Sequence, residues 1–399
     1  MTTLPFETRG ETAMRVNRAR LGQAIQFCLA LLLIALFVLP SVVSAQEWNW
    51  TTSQVDVEGT DSWLTVDRDG NVHVSYHYPT HDNLKYGFLP AGGSHWFNMT
   101  LDEQLGTFLT RIAVDPKGNP YICYTPGIIK LATFDGHKWK TQQIDPGSGL
   151  VSYYCSVLIG QDGVPQLSWY VEAGFLFRYA ALRDGVWVAR TIDNQDAPGK
   201  MNAMALDAAG LPFVSYIGLV GPKLKYAHFD GREWINSIVD APDQGIGHTN
   251  RDRGMGNSIV IDRSGSPIIS YFNTESLKVA RLVNGAWKFE VIDRFPLVEQ
   301  WAWRFFRSTI VLDQNGNPHI GYQSSLGLKH AWWDGTRWNT QLIVAPAGTT
   351  FDGAMAIDSQ DNLYFSYTDA ADRSLKLAVG HHVKTSSAGG PVPNKIPGK

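Results

Sequence analysis

The chain has 399 residues, 44% of them hydrophobic and 18% charged, with a formal net charge of −3. This is ordinary globular composition, and the lack of any basic excess argues against a phosphate-backbone partner, so no nucleic acid is expected. With 14 Trp, 15 Tyr, 18 Phe, 38 Gly and 20 Pro, the chain reads as many short strands joined by tight turns.

In chain order, the first element is a targeting segment. Arg9, Arg15, Arg18 and Arg20 precede an apolar run from Phe27 to Leu39, which Pro40 breaks before the small residues Val43-Ser44-Ala45. That layout predicts a secretory signal peptide over residues 1–45. The run is shorter than the ~20 residues a bilayer span needs. The expectation is therefore a secreted or periplasmic protein with no stable membrane insertion after cleavage. Cys28 would leave with the signal, and only Cys123 and Cys155 would remain. In an oxidising compartment they would either bridge or serve as two buried apolar thiols, and the sequence leaves both open.

From residue 46 to 382 one phrase recurs: a Trp, an aliphatic residue five positions later, then usually Asp. It begins at Trp50, Trp96, Trp139, Trp187, Trp234, Trp287 and Trp338, at spacings of 43 to 53 residues. Three further segments recur between the Trp positions. One is an apolar run ending in Asp (Ile112 to Asp115). The next ends in Ser-Tyr or a variant (Val72 to Tyr76). The third resembles Leu224-Lys225-Tyr226-Ala227 and leads into Asp-Gly before the next Trp. These are strand signals, here named A, B, C and D in order, with the Trp on D. Four strands per repeat, seven times, predict an all-β seven-bladed β-propeller of four antiparallel strands per blade. The last copy has A, B and C but no Trp strand after it, and the first Trp strand has nothing before it. The N-terminal strand is therefore expected to complete the last blade and leave no open edge. Residues 383–399, rich in Ser, Gly, Pro and Lys, are expected to form a disordered tail.

Turns such as Thr133-Phe134-Asp135-Gly136-His137-Lys138-Trp139 resemble shortened Asp-box (BNR) turns, which in sialidase-type propellers are structural. No sialidase arginine triad can be placed here. The same Asp-Gly-x-x-Trp rhythm is similar to that of fucose-binding propeller lectins, whose sugar pocket repeats in each blade. Here the Arg and Glu of such pockets do not recur. Seven-bladed polysaccharide lyases such as the ulvan lyases, which use His, Tyr and Arg, are similar in architecture alone.

Residues that break the repeat on the long-loop face are the candidates for function. Just before each A strand one column reads Asp61, Leu109, Tyr154, Met201, Gly256, Arg307, Asp352. Just after each B-strand Ser-Tyr, His77 is the only titratable residue of its column, with Tyr78 and His81 following. The longest D-to-A loops carry His248 and Arg251, and Trp301, Trp303 and Arg304. The expected ligand-binding set is Asp61, His77, Tyr78, His81, Tyr154, His248, Arg251, Trp301, Trp303, Arg304, Arg307 and Asp352, all but Tyr154 gathered on blades five, six, seven and one. Aromatic platforms with Arg and Asp suit a sugar, so the leading expectation is a carbohydrate-binding propeller whose partner is an extracellular glycan. One alternative is a lyase on an anionic polysaccharide, with His77 or Tyr154 as base and Arg307 as neutraliser. Another is a protein-interaction scaffold, with Asp61, Arg307 and Asp352 as inter-blade ion pairs. No cofactor is expected. The Asp residues are oxygen ligands of the kind calcium takes, without EF-hand spacing to support it.

Overall fold

The computed structural model describes residues 48–103, 109–145, 152–221, 223–241, 256–273, 276–294, 307–324, 326–345, 349–350 and 352–383. The predicted signal peptide and residues 384–399 of the predicted tail lie outside them. Every described element is a strand, and the strands form seven antiparallel sheets arranged as a β-propeller. Blade one is Thr60–Val66, Val72–Tyr78, Asn83–Leu89 and Phe97–Asp102, running outward from the axis. Blades two to six repeat that order, and each inner strand packs against the next around the ring, with blade seven meeting blade one.

The closure follows the expectation. Trp48–Asp56 pairs antiparallel with Leu375–His382 as the outer strand of blade seven. Trp48 is buried and meets the rings of His319, His330 and His382 edge-on at 5.4, 5.2 and 5.3 Å. The last blade is thus fastened by sequence-distant aromatic packing as well as by its ladder.

The repeated residues hold the seams between blades. At five of the seven seams the Asp ending the D strand accepts from the B-strand Tyr and C-strand Lys of the next blade, whereas Asp145 takes Arg178 and the blade-six strand ends in Val344. Tyr124 and Lys130 donate to Asp102 at 2.8 and 3.1 Å, and Tyr271 and Lys278 to Asp240 at 2.5 and 2.7 Å. In four blades the D-strand Trp lies edge-on to an aromatic ring on the C strand of the preceding blade, as in Trp139 on Tyr86 at 5.0 Å and Trp234 on Tyr179 at 5.1 Å.

Nearer the axis, the B-strand Ser of one blade bonds to the A strand of the next. The pairs are Ser75 with Thr110 (3.0 Å), Ser168 with Asn202 (2.8 Å), Ser215 with Asn257 (2.5 Å), Ser270 with Ser308 (3.0 Å) and Ser366 with Ser62 (2.9 Å). Two seams differ. Between blades two and three the same two positions are Cys123 and Cys155, and they form a disulfide with a Cα–Cα distance of 6.2 Å. The open question about these cysteines is settled as a bridge. Between blades six and seven the positions are Gly321 and Gly353. A Cβ on Gly321 would lie 2.1 Å from the Phe365 ring, so that seam is filled by the aromatic ring instead.

Candidate functional site at the channel mouth

The A strands enter the ring irregularly on the long-loop face. Blades one, three and four carry a register shift there, with Asp61, Tyr154 and Met201 at φ of 50°, 55° and 50°. Non-glycine residues in this region carry backbone strain that the surrounding structure must hold. Bulges of this kind re-aim side chains at barrel and propeller rims. In blade seven the A strand is broken between Thr349–Thr350 and Met355–Ile357, and Asp352 sits in the break. Gly353 makes the break tight, since a Cβ there would lie 2.0 Å from the Ser366 carbonyl oxygen.

These irregularities bring three of the expected residues together. Arg307 donates through Nη2 to Asp61 Oδ1 at 2.7 Å and through Nη1 to the Asp352 carbonyl at 2.8 Å. The Asp61 amide donates to Asp352 Oδ2 at 3.1 Å, and the Thr368 hydroxyl reaches Asp352 Oδ1 at 2.8 Å. Arg307, Asp61 and Asp352 are only 2%, 8% and 6% exposed, so the cluster is largely removed from bulk water. Burial pushes the Asp61 carboxyl up to about 7, against the pull of Arg307, and burial likewise raises Asp352. Gly256 of blade five completes this half of the rim. A Cβ there would stand 3.0 Å from Arg307 Cα, so the glycine makes room for the arginine.

Two residues that the sequence reading passed over join the site. Arg111 of blade two lays its guanidinium over the Trp63 ring at 3.7 Å and donates to the Thr110 carbonyl at 3.1 Å. Blades two and six are not neighbours in the ring, yet Arg111 feels the charges of both Arg307 and Asp61. Its guanidinium, laid on Trp63 of blade one, is therefore within electrostatic range of the cluster. A signal for these two was present two residues further along the chain. The column Trp63, Arg111, Ser156, Ala203, Ser258, Thr309, Ala354 is small in five blades, and blades one and two break it.

The remaining candidates are placed differently. His77 is 7% exposed, with Nδ1 3.3 Å from Thr60 Oγ1 and Nε2 2.8 Å from Asp82 Oδ1, so these contacts stay within blade one. It touches Thr60, the neighbour of Asp61. Tyr78 and His81 pair with each other at 5.6 Å between ring centroids, and Lys85 Nζ sits 4.3 Å from the Tyr78 ring centroid. Tyr154 contacts Tyr153 at 6.3 Å, and its carbonyl accepts from Asn202. His248, Arg251, Trp301, Trp303 and Arg304 lie outside the described residues. Among the described residues, no group of three or more His, Cys, Asp or Glu side chains is arranged to hold a metal ion.

The rim is thus divided. Blades five, six, seven and one give the charged half around Arg307. Blades two, three and four give Leu109, Tyr154 and Met201, with Leu109 and Met201 buried. Trp63 and Arg111 follow on the inner strands of blades one and two, in contact with each other.

No family model matches the chain, and no curated protein matches it. Solved structures do. A protein of unknown function from Dyadobacter fermentans is 10% identical, with 85% of this chain and 100% of that chain covered and a TM-score of 0.50. The fucose-specific lectin from Aleuria aurantia is 13% identical over 74% of this chain and 99% of that one, at a TM-score of 0.48. The NanB sialidase of Streptococcus pneumoniae is 10% identical over 68% and 66%, at 0.48. At these identities the likeness is one of fold alone, and the class, a β-propeller, is defined by the ring of seven sheets itself.

Proposed function

We propose that the protein is an exported carbohydrate-binding propeller that takes one glycan at the channel mouth of its long-loop face. The observation that carries this reading is the division of the rim. A sugar ring presents an apolar face and a belt of hydroxyls. The opening offers the Trp63 ring and the apolar half from blades two to four for the first, and the Arg307–Asp61–Asp352 cluster for the second. Because neither rim column carries one residue around the ring, a single asymmetric site fits better than one pocket per blade. The Cys123–Cys155 bridge supports export, since disulfides persist in oxidising compartments.

The test is retention of the protein from residue 46 onward on immobilised neutral and anionic polysaccharides, beside an Arg307→Ala variant whose folding is confirmed by its melting curve. The expected result is binding to a subset of the polymers, lost in the variant. No retention at high protein concentration on any polymer refutes the reading.

A further inference from the structure

We infer that the glycan taken at this opening bears a carboxylate, and that Arg111 is the residue that receives it; this rests on the glycan-binding reading above. Among the described residues Arg111 makes no ion pair. Its one hydrogen bond is to the backbone carbonyl beside it, which leaves further guanidinium N–H donors unused. The arginine of the neighbouring cluster is already committed, with Arg307 held by the Asp61 carboxylate and the Asp352 carbonyl. Burial and the like charge of Arg307 both penalise the charged form of Arg111, while Asp61 only partly offsets them. An arginine does not relieve that cost by losing its proton. A ligand carboxylate does so, through paired charge-assisted hydrogen bonds in the guanidinium plane.

The stacking geometry adds direction. The Trp63 ring lies 3.7 Å from the guanidinium carbon and covers one face of it, which leaves the N–H donors to act at its edges, in the guanidinium plane. A planar carboxylate is the partner that matches two parallel donors. A carboxylate placed there also faces Asp61, whose other charged neighbours are Arg307 and Asp352. A second negative charge favours the protonated form of Asp61, so binding takes up a proton. Sugar carboxylates remain ionised well below neutrality. Affinity therefore rises as pH falls from 8 to 6, a response that a merely structural Arg111 would not produce.

The experiment is calorimetric titration of the unaltered protein with an oligogalacturonate and an oligoglucuronate, each beside the same oligosaccharide reduced at its carboxyl groups. Acetate is included as a carboxylate without a sugar. The acidic saccharide is expected to bind roughly tenfold to a hundredfold more tightly than its reduced partner. Arg111→Gln should abolish that preference, and Arg111→Lys should keep part of it. Equal affinity for acidic and reduced saccharides overturns the inference while leaving the glycan site standing. Binding of neither removes the glycan-binding reading and the inference with it. Acetate competing as well as the saccharides overturns it in favour of a general anion site. If Arg111→Gln does not fold, the comparison of acid with reduced saccharide on the unaltered protein decides, together with its pH dependence.

Discussion

The disulfide replaces a hydrogen bond that five other seams make at the same two positions, and this sets a quantitative expectation for its removal. Cys123 and Cys155 are 32 residues apart. Cross-linking a loop of that length lowers the entropy of the unfolded chain by an amount worth about 3.7 kcal/mol at room temperature. Replacing both cysteines with alanine loses all of it. Replacing both with serine loses the cross-link but restores the pair found at Ser270 and Ser308, 3.0 Å apart. A buried hydroxyl bond of that kind contributes about 1 kcal/mol. Cys123→Ser/Cys155→Ser should therefore fall about 2.7 kcal/mol below the unaltered protein, and the alanine pair about 1 kcal/mol lower still. A propeller of ~330 residues has an unfolding entropy of about 0.7 kcal/mol/K, so these losses correspond to roughly 4 and 5 °C in Tm. Calorimetry under non-reducing conditions, with urea unfolding in parallel, measures both. Equal stability of the serine and alanine pairs would refute the equivalence of the seams. No loss in either would refute the restraint assigned to the bridge.

The other expectations concern the seams and the rim. Gly321→Ser, the substitution the repeat invites, should destabilise the fold by about 3 kcal/mol, because Phe365 already fills the space; unchanged urea unfolding would contradict this. Gly256→Ala should cost about 1–3 kcal/mol by pressing a methyl group on the buried Arg307, as read from the same unfolding curves. Asp61 holds its proton up to about pH 7, so its contribution to stability is fully present below the unfolded carboxyl pKa, near 3.9, and is lost as pH rises through about 7. The buried histidines His73 and His330, whose pKa values are lowered by burial, slope the opposite way. The Asp61 effect is therefore read as the difference between the unaltered protein and Asp61→Asn. That difference should move against the unaltered protein between pH 5 and 8, and a constant difference would contradict the assignment.

Much of this fold was legible in the sequence because each blade must meet the next in the same way. The Trp, Tyr and Asp columns recur for that reason, and the hydrogen bonds from Tyr124, Lys130, Tyr271 and Lys278 show what they hold. The offset between the first Trp strand and the last three strands sufficed to place the closure. The cluster of Arg307, Asp61 and Asp352 was legible because all three share one column just before the inner strand. Their bonding was not, since it depends on a bulge at Asp61 and a break at Asp352 that no local pattern announces. Trp63 and Arg111 were not legible from the irregular loops, because their column lies two residues into the strand. The disulfide was left open because pairing depends on which seam positions the cysteines occupy, and 32 residues of intervening sequence say nothing of that directly.

The most direct test of the account is a crystal structure of the propeller grown or soaked with an acidic oligosaccharide. A sugar at the channel mouth, with a carboxylate on Arg111 and hydroxyls within hydrogen-bond reach of the Asp61 and Asp352 carboxyl groups, is the predicted result. Saccharide on the outer strands or the tight-turn face, or none at the opening at saturating concentration, would contradict it.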